Sequence, residues 1–310
     1  MKLKKIANGV KSRLKKRLEP TKDKWSKKRL GEALRRGYLN DHGRPLNLEN
    51  PNLFTEKLQW YKINYRTTDM CLAVDKYDFK GYISKKLGDG YTIPCFGAWD
   101  SIASLKKAWA DLPETFILKS TLQSDGRNIK VIKNKSQIDF ADLSRELKLW
   151  LKKENTLINS YCRAYHLSKP RILAEEYVEW IGDQLFDYKF FCFSGEPFCA
   201  YAAMDHFKNG ENSNDYPISF YDMQWNRLDV KYGKHQNGEI PPPKHLEEMK
   251  KISEILSRDF PFVRVDFFDT EDALYLAELT FYPGGGNTEY DPVAFDESLG
   301  EKFILPKANI

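Results

Sequence analysis

The segment FVRVDFFDTEDALYLAELTF, residues 262–281, decides the fold of this chain. Two runs with strand composition flank the polar segment DTED, which is the pattern of a β-hairpin. In the first run Arg264 and Asp266 alternate with apolar residues, so both charged side chains lie on one face of the strand. With the turn centred near Asp272, Asp266 lies opposite Glu278 and Arg264 lies opposite Thr280.

This pairing predicts a binding site. Two carboxylates directly opposite each other on a sheet repel, and removal from water raises the cost. A divalent cation bound between Asp266 and Glu278 would offset this repulsion, because hard cations bind carboxylate oxygens. The facing carboxylates therefore predict a metal site. The run PGGG at 283–286 follows at once and offers backbone amides to an anion, so a nucleotide phosphate is suggested. The alternative is a solvated face on which Arg264 neutralises Asp266.

Length and composition favour a globular protein with two or three lobes. The chain has 310 residues, of which 41% are hydrophobic and 14% aromatic, enough for a large core. No apolar run approaches the roughly 20 residues that span a bilayer, and the basic N-terminus lacks the apolar core of a secretory signal. The five cysteines form no CxxC pair, which favours reduced thiols in the cytoplasm over disulfides or a zinc site.

Positive charge is concentrated at the N-terminus. Residues 1–36 contain 15 Lys and Arg against 3 Asp and Glu, a net of +12, whereas the rest of the chain has a net of −7. Two basic helices are predicted, the second over 22–37, and the first has a narrow apolar stripe formed by Leu3, Ile6, Ala7, Val10, Leu14 and Leu18. This pattern is typical of a helix on anionic lipid, so we expect residues 1–36 to contact an anionic membrane surface.

Two other readings of the basic leader differ in their partners. One is a solvated helix that caps the protein body. The other is nucleic-acid binding, which we do not expect, because no aromatic interleaving or nucleic-acid motif accompanies the charge.

Candidate phosphate contacts stand at the ends of other predicted strands. Lys119 ends the apolar strand TFILKS and precedes a polar loop in which the backbone at Ser124 and Gly126 can fold over phosphates. Taken alone, Lys119 also fits an ordinary strand-end lysine in solvent. Glu175 and Glu176 end the strand RILAEEYV, where a carboxylate and backbone groups can read a base and ribose.

The strand DYKFF carries a second charged pair. Asp187 and Lys189 alternate and therefore project to one face, where Lys189 is a candidate phosphate contact. The alternative is a simple surface ion pair. Four histidines are scattered and treated as non-catalytic: His166, His206, His235 and His245.

The order of these elements resembles the ATP-grasp fold more specifically than any one element does. The similarity is greatest to the TupA-like ATP-grasp proteins of bacterial surface-polysaccharide clusters, which are similar to the teichuronopeptide biosynthesis protein. It covers roughly residues 45–303 and is carried by the phrases NPNLFTEKLQWYKI, DKYDFKGYI, ILKS, RILAEEYV, DYKFFCFSGEP, VRVDFF and AELTFYPGGG.

The resemblance implies an α+β ATP-grasp fold in which two α+β subdomains sandwich ATP, with a helical basic N-terminal extension. It divides the chain into a leader at 1–44, a helical and α+β subdomain at 45–110, a first ATP-grasp subdomain at 111–174 and a second at 175–310.

The resemblance also implies roles for residues around ATP and Mg²⁺. Lys119 and Lys189 match phosphate ligands, Ser124 and Gly126 the phosphate loop, Glu175 and Glu176 the adenine-side hinge, Asp187 the ribose contact, Asp266 and Glu278 the magnesium ligands, and Arg264 a group that neutralises a phosphate or acyl-phosphate oxygen. Thr280 is a departure, since many ATP-grasp enzymes have Asn there. Its hydroxyl still offers one oxygen to a cation.

The implied activity is an ATP- and Mg²⁺-dependent carboxylate–amine ligase that forms an amide through an acyl phosphate. The expected substrate is a uronic-acid-containing glycan or an amino acid destined for a bacterial surface polysaccharide. We expect a cytoplasmic protein with peripheral contact to the inner face of the membrane. The alternatives are a glycosyltransferase of a capsular polysaccharide cluster, although no compact DxD motif is found, and a non-catalytic nucleotide-binding scaffold.

Overall fold

The computed structural model forms two compact units. The smaller unit is built from Thr67–Glu179, and the larger unit from Lys22–Arg66 together with Trp180–Ile310. The chain therefore begins its described course in the larger unit, leaves it for the smaller unit and returns. The structure describes residues 27–123, 127–152, 161–166, 168–178, 186–204, 207–208, 211–212, 216–270 and 273–310.

The elements follow the chain in this order. The larger unit opens with helices α1 (Lys27–His42) and α2 (Phe54–Asn64). The smaller unit then contains α3 (Thr68–Ala73), α4 (Lys76–Leu87), β1 (Cys95–Trp99), α5 (Ile102–Ala108), β2 (Phe116–Ser120), β3 (Ile129–Ile132), α6 (Phe140–Trp150) and β4 (Ile172–Glu176).

The rest of the larger unit is mainly antiparallel. It contains β5 (Phe186–Phe193), β6 (Glu196–Met204), β7 (Phe207–Lys208), β8 (Glu211–Asn212), β9 (Ile218–Tyr221), β10 (Arg227–Leu228), β11 (Lys231–Tyr232), α7 (Leu246–Ser257), β12 (Val263–Asp269), β13 (Leu274–Thr280), β14 (Tyr290–Asp291) and α8 (Val293–Lys302). A 3-10 turn at Pro283–Gly286 follows β13.

The smaller unit has a sheet in the strand order β1-β4-β2-β3, with antiparallel neighbours. Alternation along β2 buries Phe116 and Leu118 on one face and leaves Lys119 on the other. The buried face packs against α5 and α6 through Leu105, Leu143, Leu147 and Trp150. Each such side chain contributes about 1.5–3 kcal/mol on burial, so the hydrophobic alternation fixes the face on which Lys119 lies.

The larger unit has a sheet in the strand order β10-β9-β6-β5-β12-β13. Helix α7 packs on β5, β6 and β12 and buries Met249, Ile252 and Leu256. Elsewhere in this unit Phe54 of α2 lies at the centre of an aromatic cluster, with ring centroids 4.8 Å from Phe262 and 6.0 Å from Phe191. This cluster joins α2 to the same strands that carry the charged residues.

The predicted hairpin over 262–281 is confirmed. β12 and β13 pair antiparallel with Asp266 opposite Glu278 and Arg264 opposite Thr280, the register that the sequence predicts. β5 pairs with β6 around the SGEP turn, and β9 pairs with β10.

The prediction that the second basic helix ends at Gly37 is wrong, because α1 continues to His42. Leu30 and Tyr38 are fully buried and Leu34 is 5% exposed, and these residues pack with Ile63 of α2. Gly37 costs a helix about 1 kcal/mol, which the burial of Tyr38 outweighs. The first predicted basic helix lies outside the described residues. Within the described ranges, no helix is long and apolar enough to cross a membrane.

Candidate active site

Arg264 and Asp266 form a bidentate ion pair on one face of β12. Arg264 Nε donates to Asp266 Oδ1 at 2.7 Å, and Arg264 Nη2 donates to Asp266 Oδ2 at 2.6 Å. Arg264 therefore neutralises Asp266, as one of the two readings of the sequence has it. The face is not solvated, however, since Arg264 is 7% and Asp266 1% exposed.

Lys189 of β5 joins this pair from the neighbouring strand. It lies directly opposite Asp266, and its Nζ is 3.2 Å from Asp266 Oδ2 and 3.7 Å from Asp187 Oδ2. Burial alone would lower the pKa of Lys189, but the Asp187 and Asp266 carboxylates raise it above its ordinary value. The ammonium therefore stays charged. The Asp187–Lys189 pair exists, but it is buried among other charges rather than at the surface.

Glu278 and Thr280 complete the charged face from β13. Thr280 Oγ1 donates to Glu278 Oε1 at 2.8 Å and accepts from Arg264 Nη2 at 3.2 Å. Arg264 Nη2 also lies 3.6 Å from Glu278 Oε1, so one guanidinium bridges the two facing carboxylates. The Glu278 side chain is 33% exposed, so solvent reaches this charged face at Glu278.

We call Asp187, Lys189, Arg264, Asp266 and Glu278 the hairpin cluster. Three carboxylates face two cations, which gives a formal net charge of −1. A buried group with excess negative charge attracts a further cation, and its oxygens suit Mg²⁺. Among the described residues, no group of three or more His, Cys, Asp or Glu side chains is preassembled around a metal position. Two carboxylates, Asp266 and Glu278, and the Thr280 hydroxyl are the candidate oxygen donors for Mg²⁺, and they would form part of a coordination sphere rather than an all-protein cage.

Tyr201 belongs to this face, although the sequence analysis does not identify it. It pairs with Lys189 across β5 and β6, and its hydroxyl accepts from Arg264 Nη1 at 3.1 Å. Burial raises the pKa of Tyr201 above its ordinary value, so the hydroxyl stays neutral. The signal in the sequence is its strand position after the turn SGEP, which places it opposite Lys189 in the β5–β6 hairpin.

The smaller unit holds a second cluster, which we call the lysine cluster. Lys119 Nζ lies 2.6 Å from Glu175 Oε2, and Lys80 Nζ lies 2.6 Å from Glu175 Oε1. Burial would raise the pKa of Glu175, but the two ammonium groups outweigh it and lower the pKa to about 2. The cluster carries a formal net charge of +1. Lys119 keeps 18% of its side chain exposed, so it can reach a ligand without leaving Glu175.

Lys80 is the residue of this cluster that the sequence analysis misses. It lies on α4, whose first turn is capped by Asp75, and Asp75 in turn binds Arg171 Nη2 at 2.6 Å. The capped helix directs Lys80 toward β4, and Lys80 Nζ also donates to Ile93 O at 2.6 Å. The signal was present as the second lysine of DKYDFKGYI.

The two glutamates at the end of β4 differ in environment. Glu175 is 5% exposed and bound by lysines, whereas Glu176 is exposed and uses its backbone N–H to donate to Pro94 O at 2.9 Å. Adjacent residues of a strand project to opposite faces, so the pair does not act as one contact. Ser124 and Gly126 lie outside the described residues.

The glycine turn at 284–286 follows the hairpin directly. Gly284, Gly285 and Gly286 have φ angles of 55°, 63° and 68°, which favour glycine. A Cβ at position 284 would lie 2.3 Å from Thr288 Oγ1 and 2.8 Å from Tyr232 Oη, so no side chain fits. Backbone and hydroxyl groups therefore come together within a few residues of Thr280.

Solved structures similar to this chain include two ligases and a biotin carboxylase domain, all with low sequence identity. The D-alanine–D-alanine ligase of Helicobacter pylori is 20% identical, with a TM-score of 0.44 over 80% of this chain and 67% of its own. The phosphoribosylamine–glycine ligase of Thermotoga maritima is 11% identical, with a TM-score of 0.44 over 70% and 49%. The biotin carboxylase domain of Hydrogenobacter thermophilus 2-oxoglutarate carboxylase, in complex with MgADP, is 14% identical, with a TM-score of 0.41 over 76% and 47%.

This chain spans about half to two thirds of the length of those proteins. No curated protein matches the sequence. The family model for TupA-like ATP-grasp proteins matches residues 56–304, which is most of the chain and includes every element of both clusters. The protein therefore belongs to the TupA-like ATP-grasp family, and its fold is the α+β ATP-grasp fold that the sequence predicts.

Proposed function

We propose that this protein is an ATP- and Mg²⁺-dependent ligase that joins a carboxylate to an amine. The observation that supports this most directly is the pair of oppositely charged clusters. The lysine cluster has a net charge of +1, which suits phosphate, and the hairpin cluster has a net of −1 with two facing carboxylates, which suits a cation. Phosphate and Mg²⁺ are the two charged parts of a magnesium–nucleotide complex, and each cluster by itself suits one of them.

In this proposal Lys119 binds ATP phosphate oxygens, while Glu175 holds Lys119 and Lys80 in place. Glu176, as the exposed member of its pair, is the one available to the adenine side. Lys189 provides the second phosphate contact, and Asp187 has the ribose role that the family resemblance implies while also orienting Lys189. Such transfer depends on positioning and on neutralising charge, and no nucleophilic side chain is required.

The proposed reaction has a metal site and two chemical steps. Asp266, Glu278 and Thr280 would hold Mg²⁺, which when bound neutralises phosphate oxygens. Arg264 would neutralise charge on a phosphate or acyl-phosphate oxygen. A carboxylate oxygen attacks the γ-phosphorus and ADP leaves. The amine nitrogen then attacks the acyl carbon, inorganic phosphate leaves, and the amine releases its proton. The glycine turn supplies backbone groups near the anionic acyl phosphate.

We infer that the substrate is a uronic-acid-containing glycan or an amino acid used in a bacterial surface polysaccharide. The support is membership of the TupA-like family together with the basic leader. In α1, Lys27, Lys28, Arg29 and Arg36 are exposed, so the described end of that leader presents its charge to solvent. A cytoplasmic enzyme with peripheral contact to anionic lipid would be concentrated where lipid-linked glycans are made.

The first test compares thermal shifts with magnesium–ATP and with magnesium plus UDP-sugars. A ligand at 100 times its Kd stabilises the folded state by about 2.7 kcal/mol, which is easily measured. A shift with ATP supports the ligase and leads to a screen of uronic acids and amino acids for ADP release. A shift with a UDP-sugar and none with ATP would replace the proposal with glycosyl transfer.

A further inference from the structure

Two polar side chains of α2 hold the backbone of the glycine turn. Gln59 is fully buried and Lys62 is 4% exposed. Gln59 Nε2 donates to Gly285 O at 3.1 Å and to Gly286 O at 2.9 Å, and Lys62 Nζ donates to Gly285 O. Lys62 also donates to Gln59 Oε1 at 2.9 Å, so the two side chains form one hydrogen-bonded unit that binds the turn.

These contacts fix the direction of a peptide group. The C=O and N–H of a trans peptide point in opposite directions, so the peptide that joins Gly285 to Gly286 turns its C=O toward α2 and its N–H away from it. His42 Nε2 lies 3.2 Å from Gly286 O and holds the next carbonyl on the same side. Glycine loses more backbone freedom than any other residue on ordering, so three consecutive glycines need such anchors.

Lys62 brings a buried charge to a position where an apolar side chain would have a lower desolvation cost. Removing an ammonium from water is expensive, and a side chain of similar length without charge would fill the same space. The residues lie three positions apart on α2, on the face that meets the turn. Their contacts go to backbone carbonyls of the segment that begins three residues after Thr280. The charge is therefore placed where it acts on the turn.

We propose that Gln59 and Lys62 are positioning residues for the carboxylate-bearing substrate, acting through the glycine turn. This inference rests on the proposed ligase function. In this proposal α2 controls how the substrate carboxylate is held. The same helix carries none of the predicted nucleotide or metal contacts. Loss of Lys62 then weakens use of the carboxylate and leaves magnesium–ATP binding unchanged.

The experiment compares Lys62→Met and Gln59→Leu with a rescue variant, Lys62→Arg, and a matched control, Lys57→Met. Lys57 is also on α2 and also donates to backbone carbonyls, those of Gly300 at 2.8 Å and Phe303 at 3.0 Å, but not to the turn. Full-length protein is used throughout. Three quantities are measured: the thermal shift with magnesium–ATP, the KM for glucuronate and for glutamate in ADP release, and amide hydrogen exchange of peptides covering 283–288.

We expect Lys62→Met and Gln59→Leu to raise the KM for the productive carboxylate by about 10- to 100-fold, the factor that corresponds to the roughly 1.5–3 kcal/mol of a hydrogen bond to a charged group. Exchange at 283–288 should quicken by a similar factor, because the anchored turn opens more often. Lys62→Arg should recover most of both losses, and Lys57→Met should match wild type in both.

Equal carboxylate KM values in Lys62→Met and Lys57→Met would overturn the inference, because both lysines would then be merely structural. Failure of the proposed function looks different: wild type itself would show no magnesium–ATP shift and no ADP release. In that case Gln59 and Lys62 could not be positioning residues for a carboxylate substrate, and the inference would be overturned even if the variants changed hydrogen exchange at 283–288. A raised KM for ATP instead of the carboxylate would also overturn it.

Discussion

The lysine cluster predicts a large, pH-dependent loss of stability in Glu175→Gln. Glu175 has an ordinary pKa of 4.5 and a folded-state pKa of about 2. Because one pKa unit corresponds to about 1.36 kcal/mol, the ionised carboxylate contributes about 3 kcal/mol to the free energy of unfolding at neutral pH. Glutamine resembles the protonated form, so the variant should lose about that amount at pH 7.

The sign of the pH dependence follows from the lowered pKa. A group whose folded pKa is depressed gives its full contribution above the unfolded pKa, here 4.5, and loses it as the pH falls toward about 2. The difference between wild type and Glu175→Gln should therefore be constant from pH 7 to pH 5.5. It should shrink to about 2 kcal/mol near pH 3.5 by the same linkage.

Urea unfolding at each pH, followed by circular dichroism, measures these free energies. The matched control is Glu176→Gln, an exposed neighbour on the same strand, which should change stability by no more than about 0.5 kcal/mol. Two results would refute the reasoning. One is an equal loss in both variants at pH 7, and the other is a Glu175→Gln loss that stays the same down to pH 3.5.

Three further predictions test the remaining assignments. Asp266→Asn should abolish magnesium-dependent ATP turnover. It should also destabilise by about 3 kcal/mol, because the buried Arg264 loses its bidentate counter-charge and keeps only the more distant contact to Glu278, at 3.6 Å. Full turnover in an ADP-release assay would remove Asp266 from the metal site. Lys119→Ala should weaken binding of ATP much more than of AMP in calorimetry, since only ATP presents the outer phosphates, and equal losses would place Lys119 elsewhere. Deletion of 1–26 should release the protein from anionic vesicles in a sedimentation assay, because it removes 10 of the 15 Lys and Arg of the leader and keeps α1; unchanged binding would move the membrane contact to another surface.

The hairpin register was predicted from the position of the turn, which the sequence placed near Asp272. The turn closes between Thr270 and Ala273, where Thr270 N donates to Ala273 O at 2.9 Å. Regular pairing from that turn would offset Asp266 from Glu278 by one residue. A β-bulge after Asp266 leaves Ala277 without a direct partner and restores the pairing. The turn therefore lies slightly before the predicted position, and the bulge compensates for the difference, so the predicted partners of Asp266 and Arg264 are correct.

Other members of the clusters could not be predicted in this way, because their partners are distant along the chain. Lys80 meets Glu175 only when α4 packs beside β4, and neither periodicity nor strand alternation gives that geometry. Gln59 and Lys62 read as ordinary polar positions of a helix until the glycine turn lies against them. The extension of α1 past Gly37 likewise depends on tertiary burial, which outweighed a local helix-ending signal.

The charge inventory of the hairpin cluster explains why a buried arginine is compatible with a metal site. An ionised carboxylate has about four acceptor positions. Among the described residues, Asp266 uses three of them, because Oδ1 accepts from Arg264 Nε while Oδ2 accepts from Arg264 Nη2 and Lys189 Nζ. One position on Oδ1 remains, so Asp266 can give an oxygen to a cation and keep Arg264. A divalent ion would change the cluster from a net of −1 to +1, which repels further cations and attracts phosphate. We therefore expect magnesium and nucleotide to bind with positive coupling, each tighter in the presence of the other.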